Sequence, residues 1–327
     1  MTVGGWFDTE DLYGPLKIYQ TVEKNNRGIF NILVMGPWAH GAWGGRGGGE
    51  ALGNVTFGFK TSEFYQEHIE FPFFRYYLKG EGDLQLPEAY VFETGVNRWR
   101  QFDHWPPRGL EAKSLYVHEK GGLSFAPPKA AEERFDEYVS YPDKPVPFAQ
   151  DIATGMTRNY MTDDQRFAAR RPDVLAYQTD ALEEELTVAG PIEVELWVST
   201  SGTASDWVVK LIDVLPGSAS DNDENPRGMR MGGYQMMVRS EVIRGRFRNS
   251  YEHPEPFVSG TITRVALKLQ DVLHTFKRGH RVMVRAHGSR WSTATRSSTS
   301  PTSSRRARTT SSRRPSASID PGSTRRA

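Results

Sequence analysis

A chain of 327 residues, of which 37% are hydrophobic, can bury one or two cores, and its length predicts two domains. It has no cysteine, which excludes disulfides, a thiol nucleophile and thiolate metal sites. No apolar stretch approaches the roughly 18 residues of a membrane-spanning helix, so no membrane partner is expected. The formal net charge is +1, but nine arginines and one aspartate in residues 288–327 contribute +8, which leaves −7 for the rest. A nucleic-acid surface in the globular part is therefore not expected.

The first elements predict a βαβ unit. Residues 13–24 carry an apolar stripe at helical spacing, and the apolar run at 29–35 is typical of a parallel strand buried on both faces. Residues 63–78 predict an aromatic-rich helix, which the glycines of 79–82 end. We take that terminus as the domain boundary.

From Pro87 onward the pattern changes to period two with frequent turn signals, which predicts an antiparallel sandwich or jelly-roll. Strands are expected at 89–94, 114–118, 192–198, 207–212, 265–269 and 281–284, and residues 127–162 are expected to form a long ordered connection. The acidic stretch 221–225 is either a solvated loop or a Ca²⁺ site. Its spacing matches no known ion-binding loop, which favours the solvated loop.

An aspartate and a histidine follow the first two predicted strands. Asp8 ends the segment Gly-Gly-Trp-Phe-Asp, and His40 ends Gly-Pro-Trp-Ala-His. In α/β-hydrolases the triad runs nucleophile, acid, histidine along the chain, each on a loop at the carboxyl end of a strand. Asp8 would accept a hydrogen bond from His40 Nδ1–H and fix the ring for proton transfer. The alternative is an aspartate that caps the next helix and a histidine that satisfies a turn.

The nucleophile of such a triad is expected upstream of Asp8, on a Gly-x-Ser-x-Gly turn. The sequence has no such turn. The nearest string, Gly-Leu-Ser-Phe-Ala at 122–126, lacks the second glycine and follows the histidine. We therefore expect a chain that is truncated at its N-terminus and lacks the nucleophile.

Four segments carry a family resemblance: residues 5–11, 36–40, 171–175 and 199–214 resemble α-amino-acid ester hydrolases, which are relatives of cocaine esterase and X-Pro dipeptidyl-peptidases. The resemblance runs from about residue 3 to about residue 285. It implies a C-terminal fragment: a C-terminal remnant of an α/β-hydrolase domain at 1–82, and an all-β jelly-roll (galactose-binding-like) domain at 83–287. The Ser/Thr/Arg-rich tail at 288–327 is expected to be disordered. A slipped reading frame is favoured there over an RNA-binding arm.

Glu10 and Asp11 crowd negative charge beside Asp8, which is unfavourable unless a cation binds there. The resemblance implies that they hold the α-ammonium group of the substrate, so the expected partner is a small molecule with a free α-amino group. The alternative is a solvated acidic helix start, which the helix dipole favours.

The remaining features are assigned lesser roles. The Gly-rich stretch 41–50 lacks the Lys-Ser/Thr ending of a phosphate-binding loop and is expected to be a mobile loop beside His40. Trp38 and Trp43 are expected to wall the acyl pocket. The other seven histidines are expected to lie on helix faces, β segments or turns without a nearby strand-end acid, and to be structural or at the surface.

The resemblance implies a serine hydrolase of α-amino-acid esters or amides, with hydrolysis and acyl transfer through an acyl-enzyme. The fragment alone is expected to be inactive. No cofactor and no metal are expected, and a homo-oligomer stays open. The alternatives are an X-Pro dipeptidyl-peptidase-like peptidase and a non-catalytic jelly-roll binding module. Members of the family are often periplasmic or secreted, but a leader would be missing here, so the compartment is not assigned.

Overall fold

The computed structural model describes residues 1–45, 47–128, 135–141, 143–152, 157–223, 228–288, 295–299 and 306–309, the last two ranges as backbone only. Its helices are α1 (Tyr13–Asn25), α2 (Thr61–Tyr65), α3 (Phe71–Lys79) and α4 (Arg166–Ala169). Its strands are β1 (Thr2–Gly5), β2 (Leu33–Gly36), β3 (Ala51–Leu52), β4 (Val55–Thr56), β5 (Ala89–Glu93), β6 (Arg98–Phe102), β7 (Tyr116–Val117), β8 (Leu123–Ser124), β9 (Asp136–Tyr138), β10 (Leu175–Gln178), β11 (Leu186–Thr200), β12 (Asp206–Val214), β13 (Gln235–Arg244), β14 (Thr263–Phe276), β15 (Arg281–Gly288), β16 (Thr295–Thr299) and β17 (Arg306–Thr309).

The first sheet has the strand order β1-β2-β5-β6. β1 and β2 are parallel and α1 connects them, so the predicted βαβ unit is confirmed. Leu16 and Tyr19 of α1 are buried in the same apolar cluster as Leu33 and Met35 of β2. This burial, rather than helix propensity alone, holds α1 on the sheet.

Two expectations for the first sheet were wrong. The strand predicted at 29–35 is only Leu33–Gly36, and Ile29 and Phe30 before it are 54% and 47% exposed. Residues 89–94 were assigned to the jelly-roll, whereas β5 pairs in parallel with β2, and β6 pairs antiparallel with β5. Four of the five residues of β5 are buried, and an apolar run covered on both faces does not reveal its neighbours in the sheet.

The predicted helix at 63–78 is confirmed, with an irregularity inside it. α2 continues through a π-helical turn at Gln66–Glu70 into α3. Gly80 follows α3 in the left-handed conformation (φ 67°), as expected of a glycine that ends a helix. No helix in the described part of the chain is long and apolar enough to cross a membrane.

Two further sheets follow the first. The second sheet has the order β10-β15-β12-β13 and is antiparallel throughout; the third has the order β14-β11-β16-β17-β9. Apolar residues of both sheets share one cluster, with Leu211 and Val238 from the second sheet and Val272 and Phe276 from the third. The strands predicted at 192–198, 207–212, 265–269 and 281–284 lie within β11, β12, β14 and β15, whereas β10 and β13 were not predicted.

Other predicted segments are shorter in the structure than expected, or lie partly outside the described residues. The strand expected at 114–118 is reduced to β7, which forms a short hairpin with β8. β16 and β17 lie inside the tail at 288–327, for which the composition predicted no ordered structure; nearly all other residues of that tail lie outside the described part of the chain. Residues 129–134, 142 and 153–156 of the long connection lie outside it as well.

The first sheet and the β-rich part share one core. Trp6, Phe7 and Leu12 from the loop after β1 belong to the same apolar cluster as Met237 of β13 and Leu273 of β14. A polar contact crosses the same boundary, since the carboxylate of Glu93 accepts a hydrogen bond from Thr275 Oγ1 (2.6 Å). The loop after β1 therefore packs on both parts of the chain.

Candidate functional site

The site lies at the carboxyl ends of β1 and β2. These strands run in parallel register, with Gly5 opposite Gly36, so the loops that follow them leave at one edge of the sheet. The first loop carries Asp8 and the second carries His40. His40 Nδ1 lies 3.1 Å from Asp8 Oδ2, a hydrogen-bonding distance. The structure thus brings together the two residues that the sequence predicted as acid and base.

Asp8 is a fully engaged buried carboxylate. It is 3% exposed, and its second oxygen, Oδ1, accepts the backbone N–H groups of Glu10 and Asp11, each at 2.9 Å. The alternative in which Asp8 caps the next helix is not observed, since Leu12 is the N-cap of α1 and no side chain caps it; Oδ1 instead closes the turn at residues 10 and 11, while Oδ2 faces His40. Two backbone donors fix the carboxylate plane, and this fixes the direction from which Oδ2 meets the imidazole.

Glu10 and Asp11 face the same histidine. Glu10 Oε2 lies 3.9 Å and Asp11 Oδ2 lies 3.8 Å from His40 Nδ1, with 61% and 63% of their side chains exposed. Three carboxylates therefore surround one ring. Such a concentration of negative charge at a sheet edge attracts a cation, and the attraction strengthens when water is excluded.

The strand glycines allow the two loops to approach each other. Trp6 N–H donates to Gly36 O (2.8 Å) and Phe7 N–H donates to Trp38 O (3.0 Å). A Cβ at Gly5 would collide with the carbonyl oxygen of Trp38. Only a glycine at position 5 leaves room for the backbone before Asp8 to pass this close to the backbone before His40. The sequence pattern alone did not reveal this close approach.

Trp38 was expected to wall the acyl pocket, but it lies in the core beneath His40. It is 1% exposed and packs on Trp43 and Tyr65, at ring-centroid distances of 6.2 and 5.4 Å. Its indole N–H donates to Thr61 Oγ1 (2.9 Å) at the start of α2. Trp38 therefore supports the loop that carries His40, and Thr61 is a supporting residue that the sequence did not single out.

The Gly-rich stretch after His40 contacts the start of α2. Thr61 Oγ1 donates to Gly49 O (2.6 Å), and Ser62 Oγ donates to Ala42 O (3.1 Å). Arg46 lies outside the described residues. These bonds attach both ends of the stretch to one helix terminus.

Two of the remaining histidines have an acidic partner that the sequence did not reveal. His274 Nε2 lies 3.2 Å from Asp213 Oδ2, and His280 Nδ1 lies 2.8 Å from Asp213 Oδ1. Burial alone would raise the pKa of Asp213, but the bonds from both histidines outweigh it and hold that pKa below its usual value. His274 is fully buried. The expectation of a structural role holds for it, while the expectation of no nearby acid was wrong.

The acidic stretch 221–225 is only partly described, since Glu224 and Asn225 lie outside the described residues. Asp221 Oδ1 accepts the N–H of Met231 (2.8 Å), and Asn222 Nδ2 donates to Asn54 O (2.6 Å). No group of three or more potential metal ligands with suitable geometry occurs among the residues the structure describes.

Comparisons with known proteins relate the chain to a family of hydrolases. The family described as X-Pro dipeptidyl-peptidase C-terminal non-catalytic domain matches residues 76–321. Cocaine esterase of Rhodococcus sp. (strain MB1 Bresler) is 27% identical over 299 residues, which cover 88% of this chain and 48% of that protein. The chain therefore spans about half the length of the curated relatives it matches.

Two solved structures are similar at higher identity. An aminopeptidase from a marine sediment archaeon, Thaumarchaeota archaeon, superposes with a TM-score of 0.80 at 40% identity, covering 88% of this chain and 47% of that one. An α-amino acid ester hydrolase superposes with a TM-score of 0.79 at 36% identity, covering 91% and 49%.

The similarity to cocaine esterase and to the α-amino acid ester hydrolase places the chain in a family of serine hydrolases. Because the family match covers most of its length, the chain belongs to the X-Pro dipeptidyl-peptidase C-terminal domain family.

Proposed function

We propose that this chain supplies the acid, the base and an ammonium-binding pair to a serine hydrolase of α-amino-acid esters or amides. The observation that carries the proposal is the 3.1 Å contact between buried Asp8 and His40 at the ends of two adjacent parallel strands. The sequence contains no Gly-x-Ser-x-Gly turn that could carry the nucleophile. The serine nucleophile is therefore proposed to come from residues outside this sequence.

The proposed reaction has two acyl-transfer steps. Asp8 accepts a hydrogen bond from His40 Nδ1–H, which keeps the lone pair on Nε2, where it can take the proton of the serine hydroxyl as that oxygen attacks the carbonyl carbon. The imidazolium then gives this proton to the departing alcohol or amine, and the acyl group remains on serine. Water, or an amine acceptor in the transfer reaction, repeats the sequence and releases the acyl group.

Glu10 and Asp11 are proposed to bind the α-ammonium group of the substrate. Their carboxylates lie within 4 Å of His40 Nδ1, on the same side of the loop as Asp8. A positively charged amino group near the scissile carbonyl would be attracted there, and a substrate without it would leave the carboxylates repelling each other. The pair would thus give specificity for free α-amino groups.

The architecture proposed for the whole chain follows from its sheets. We propose that the first sheet, with β1, β2 and β5 parallel, is the C-terminal remnant of an α/β-hydrolase domain. The second and third sheets, which share an apolar cluster, are proposed to form the jelly-roll.

A peptidase is the second candidate function. It is favoured by the archaeal structure described as an aminopeptidase, at 40% identity. An aminopeptidase also requires recognition of a free α-amino group, so the carboxylate pair fits both functions. The two candidates differ in the bond cleaved, ester or peptide.

The test uses a fusion of this chain to the preceding half of the archaeal aminopeptidase. Glu10→Gln and Asp11→Asn should each raise KM for an α-amino ester about tenfold, or about 1.4 kcal/mol, and leave the matching des-amino ester nearly unchanged. Asp8→Asn should lower kcat for both esters by about 10⁴-fold. Glu184→Gln, an exposed carboxylate of the β-rich part, is the control.

Equal effects of Glu10→Gln and Asp11→Asn on both ester types would refute the ammonium-binding role. The unfused chain tests the proposal that the nucleophile lies outside this sequence. It should give no burst of product with a chromogenic amino ester, and a burst equal to the enzyme concentration would contradict the proposal. Faster turnover of an α-amino peptide than of the ester would select the peptidase.

A further inference from the structure

Arg239 of β13 is a buried cation that the proposed mechanism does not use. It is 2% exposed, and burial lowers the pKa of its guanidinium to about 10. Leu211 pairs with Arg239 and Ile212 pairs with Met237, so Val238 is the extra residue of a β-bulge immediately before Arg239. Bulges redirect the neighbouring side chains of a strand.

The guanidinium contacts the loop after β1. Nη1 of Arg239 donates to the backbone carbonyl oxygen of Trp6 (2.8 Å), and Cζ lies 5.5 Å from the centre of the Trp6 ring. The Trp6 ring is fixed on its other side, because its indole N–H donates to Phe92 O (2.8 Å) and the ring packs on Trp105 at 6.1 Å. Arg239 thus contacts both the backbone carbonyl and the ring of Trp6.

Trp6 stands two positions before Asp8 in a short connection. The N–H groups of Trp6 and Phe7 bond to the segment before His40, and the side chain of Asp8 bonds to His40 and to the start of the next turn. Arg239 bonds to the outward-facing carbonyl of the same connection. The backbone leading into Asp8 is therefore hydrogen-bonded both to the segment before His40 and to Arg239 of β13.

An uncharged apolar side chain would be less costly to bury than this arginine, because a buried cation loses its hydration. The Nε atom of Arg239 has no hydrogen-bond partner among the described residues, so the arginine is not fully compensated even here. Its strong bond is the charge-assisted one to Trp6 O. Attraction to Asp271 offsets part of the burial, and the hydrogen bond to Trp6 O directs the guanidinium at the loop that carries Asp8.

We propose that Arg239, from the part of the chain whose family is described as non-catalytic, is a positioning residue for the Asp8–His40 pair. It holds the carbonyl of Trp6 and so sets the distance between Asp8 Oδ2 and His40 Nδ1. This inference rests on the proposed role of that pair.

The experiment observes the Nδ1-bound proton of His40 by nuclear magnetic resonance, in the full chain labelled at histidine. We expect a sharp, protected Nδ1–H resonance in the wild type, its loss in Arg239→Met, and partial recovery in Arg239→Lys, which retains a cationic donor. The matched control is Arg285→Met. Arg285 is buried in β15 of the same sheet and its pKa is also lowered to about 10, but it donates to Gln165.

The outcomes separate the two proposals. Loss of the resonance in both Arg239→Met and Arg285→Met would show general destabilisation and overturn the positioning role, as would its retention in Arg239→Met. If Arg239→Met does not fold, a scalar coupling from Arg239 Nη to the Trp6 carbonyl carbon is measured in the wild type, and its absence overturns the proposal. An unchanged resonance in Asp8→Asn would instead refute the Asp8–His40 pair itself.

In the fused enzyme, Arg239→Lys should lower kcat by about 10- to 100-fold with little change in KM, because a small displacement of a catalytic group affects chemistry more than binding. A change in KM alone would contradict a role in positioning the acid.

Discussion

Lys210 gives the folded chain an unusual dependence on pH. It lies in β12 with 5% of its surface exposed, and burial, together with the nearby charge of Arg285, lowers the pKa of its ammonium group to about 7. Its Nζ donates to Gln165 Oε1 (2.9 Å), an uncharged oxygen that also accepts from Arg285 Nη2 (2.8 Å). Two cations therefore share one neutral acceptor, and removing the charge of Lys210 removes the repulsion between them.

The sign and size of the effect follow from the two pKa values. An unfolded lysine titrates near 10.4, so between about pH 7 and pH 10.4 the unfolded chain binds one more proton than the folded chain. The free energy of unfolding must then rise with pH across this window. At about 1.36 kcal/mol per pH unit for a full proton, the rise between about pH 7.5 and pH 9.5 is about 2.5 kcal/mol.

Lys210→Met removes the proton difference. We expect its free energy of unfolding to lose this rise, and to exceed that of the wild type at pH 7.5 by about 1–4 kcal/mol, because the wild type must release the Lys210 proton or bury its charge when it folds, whereas an apolar side chain does neither. Urea denaturation at four pH values measures both quantities, with Lys277→Met, at an exposed lysine, as the control that should keep the wild-type slope. A wild-type rise below about 1 kcal/mol, or an equal slope in Lys210→Met, would refute the reasoning.

Three further variants test other parts of the structure by urea denaturation. Gly5→Ala should lower the free energy of unfolding by about 2 kcal/mol or more, because the new Cβ would collide with the carbonyl of Trp38; an unchanged midpoint would contradict that close approach. Burial opposes the charge of Glu93, but bonds from two arginines and a threonine outweigh it and hold its pKa below the usual value, so Glu93→Gln should cost about 2 kcal/mol near neutral pH and progressively less as the pH falls through that lowered pKa; a cost independent of pH would contradict this. Asp213→Asn should cost about 3 kcal/mol, since it leaves two histidines without their buried acceptor, and wild-type stability would show otherwise.

The local pattern of the sequence predicts part of the fold well. The 3.6-residue spacing in α1 and the period-two alternation in β11, β12 and β14 are properties of single segments, and the structure has these elements at the expected places. The Asp8 and His40 segments were also predictable, because each stands directly after a strand, and parallel neighbours bring such loops to one edge.

The rest depended on contacts between residues distant in sequence. The apolar run of β5 is compatible with either sheet, and only its pairing with β2 decides between them. Asp213 lies 61 and 67 positions from its two histidines, and Arg239 lies 233 positions from Trp6. No spacing rule connects such residues, since the tertiary fold alone brings them together.

These long-range contacts show how the proposed Asp8–His40 site can depend on the part of the chain whose family is described as a non-catalytic domain. The loop that carries Asp8 is hydrogen-bonded to the first sheet, and its apolar residues Trp6 and Phe7 also pack in a cluster that includes Met237 of β13. Fully burying side chains of this size contributes roughly 1.5–3 kcal/mol each, more than one hydrogen bond between the strands contributes. Part of the free energy that holds Asp8 in place therefore comes from contacts with the β-rich part. A change in the packing of that part would therefore reach the proposed Asp8–His40 pair without contacting the substrate.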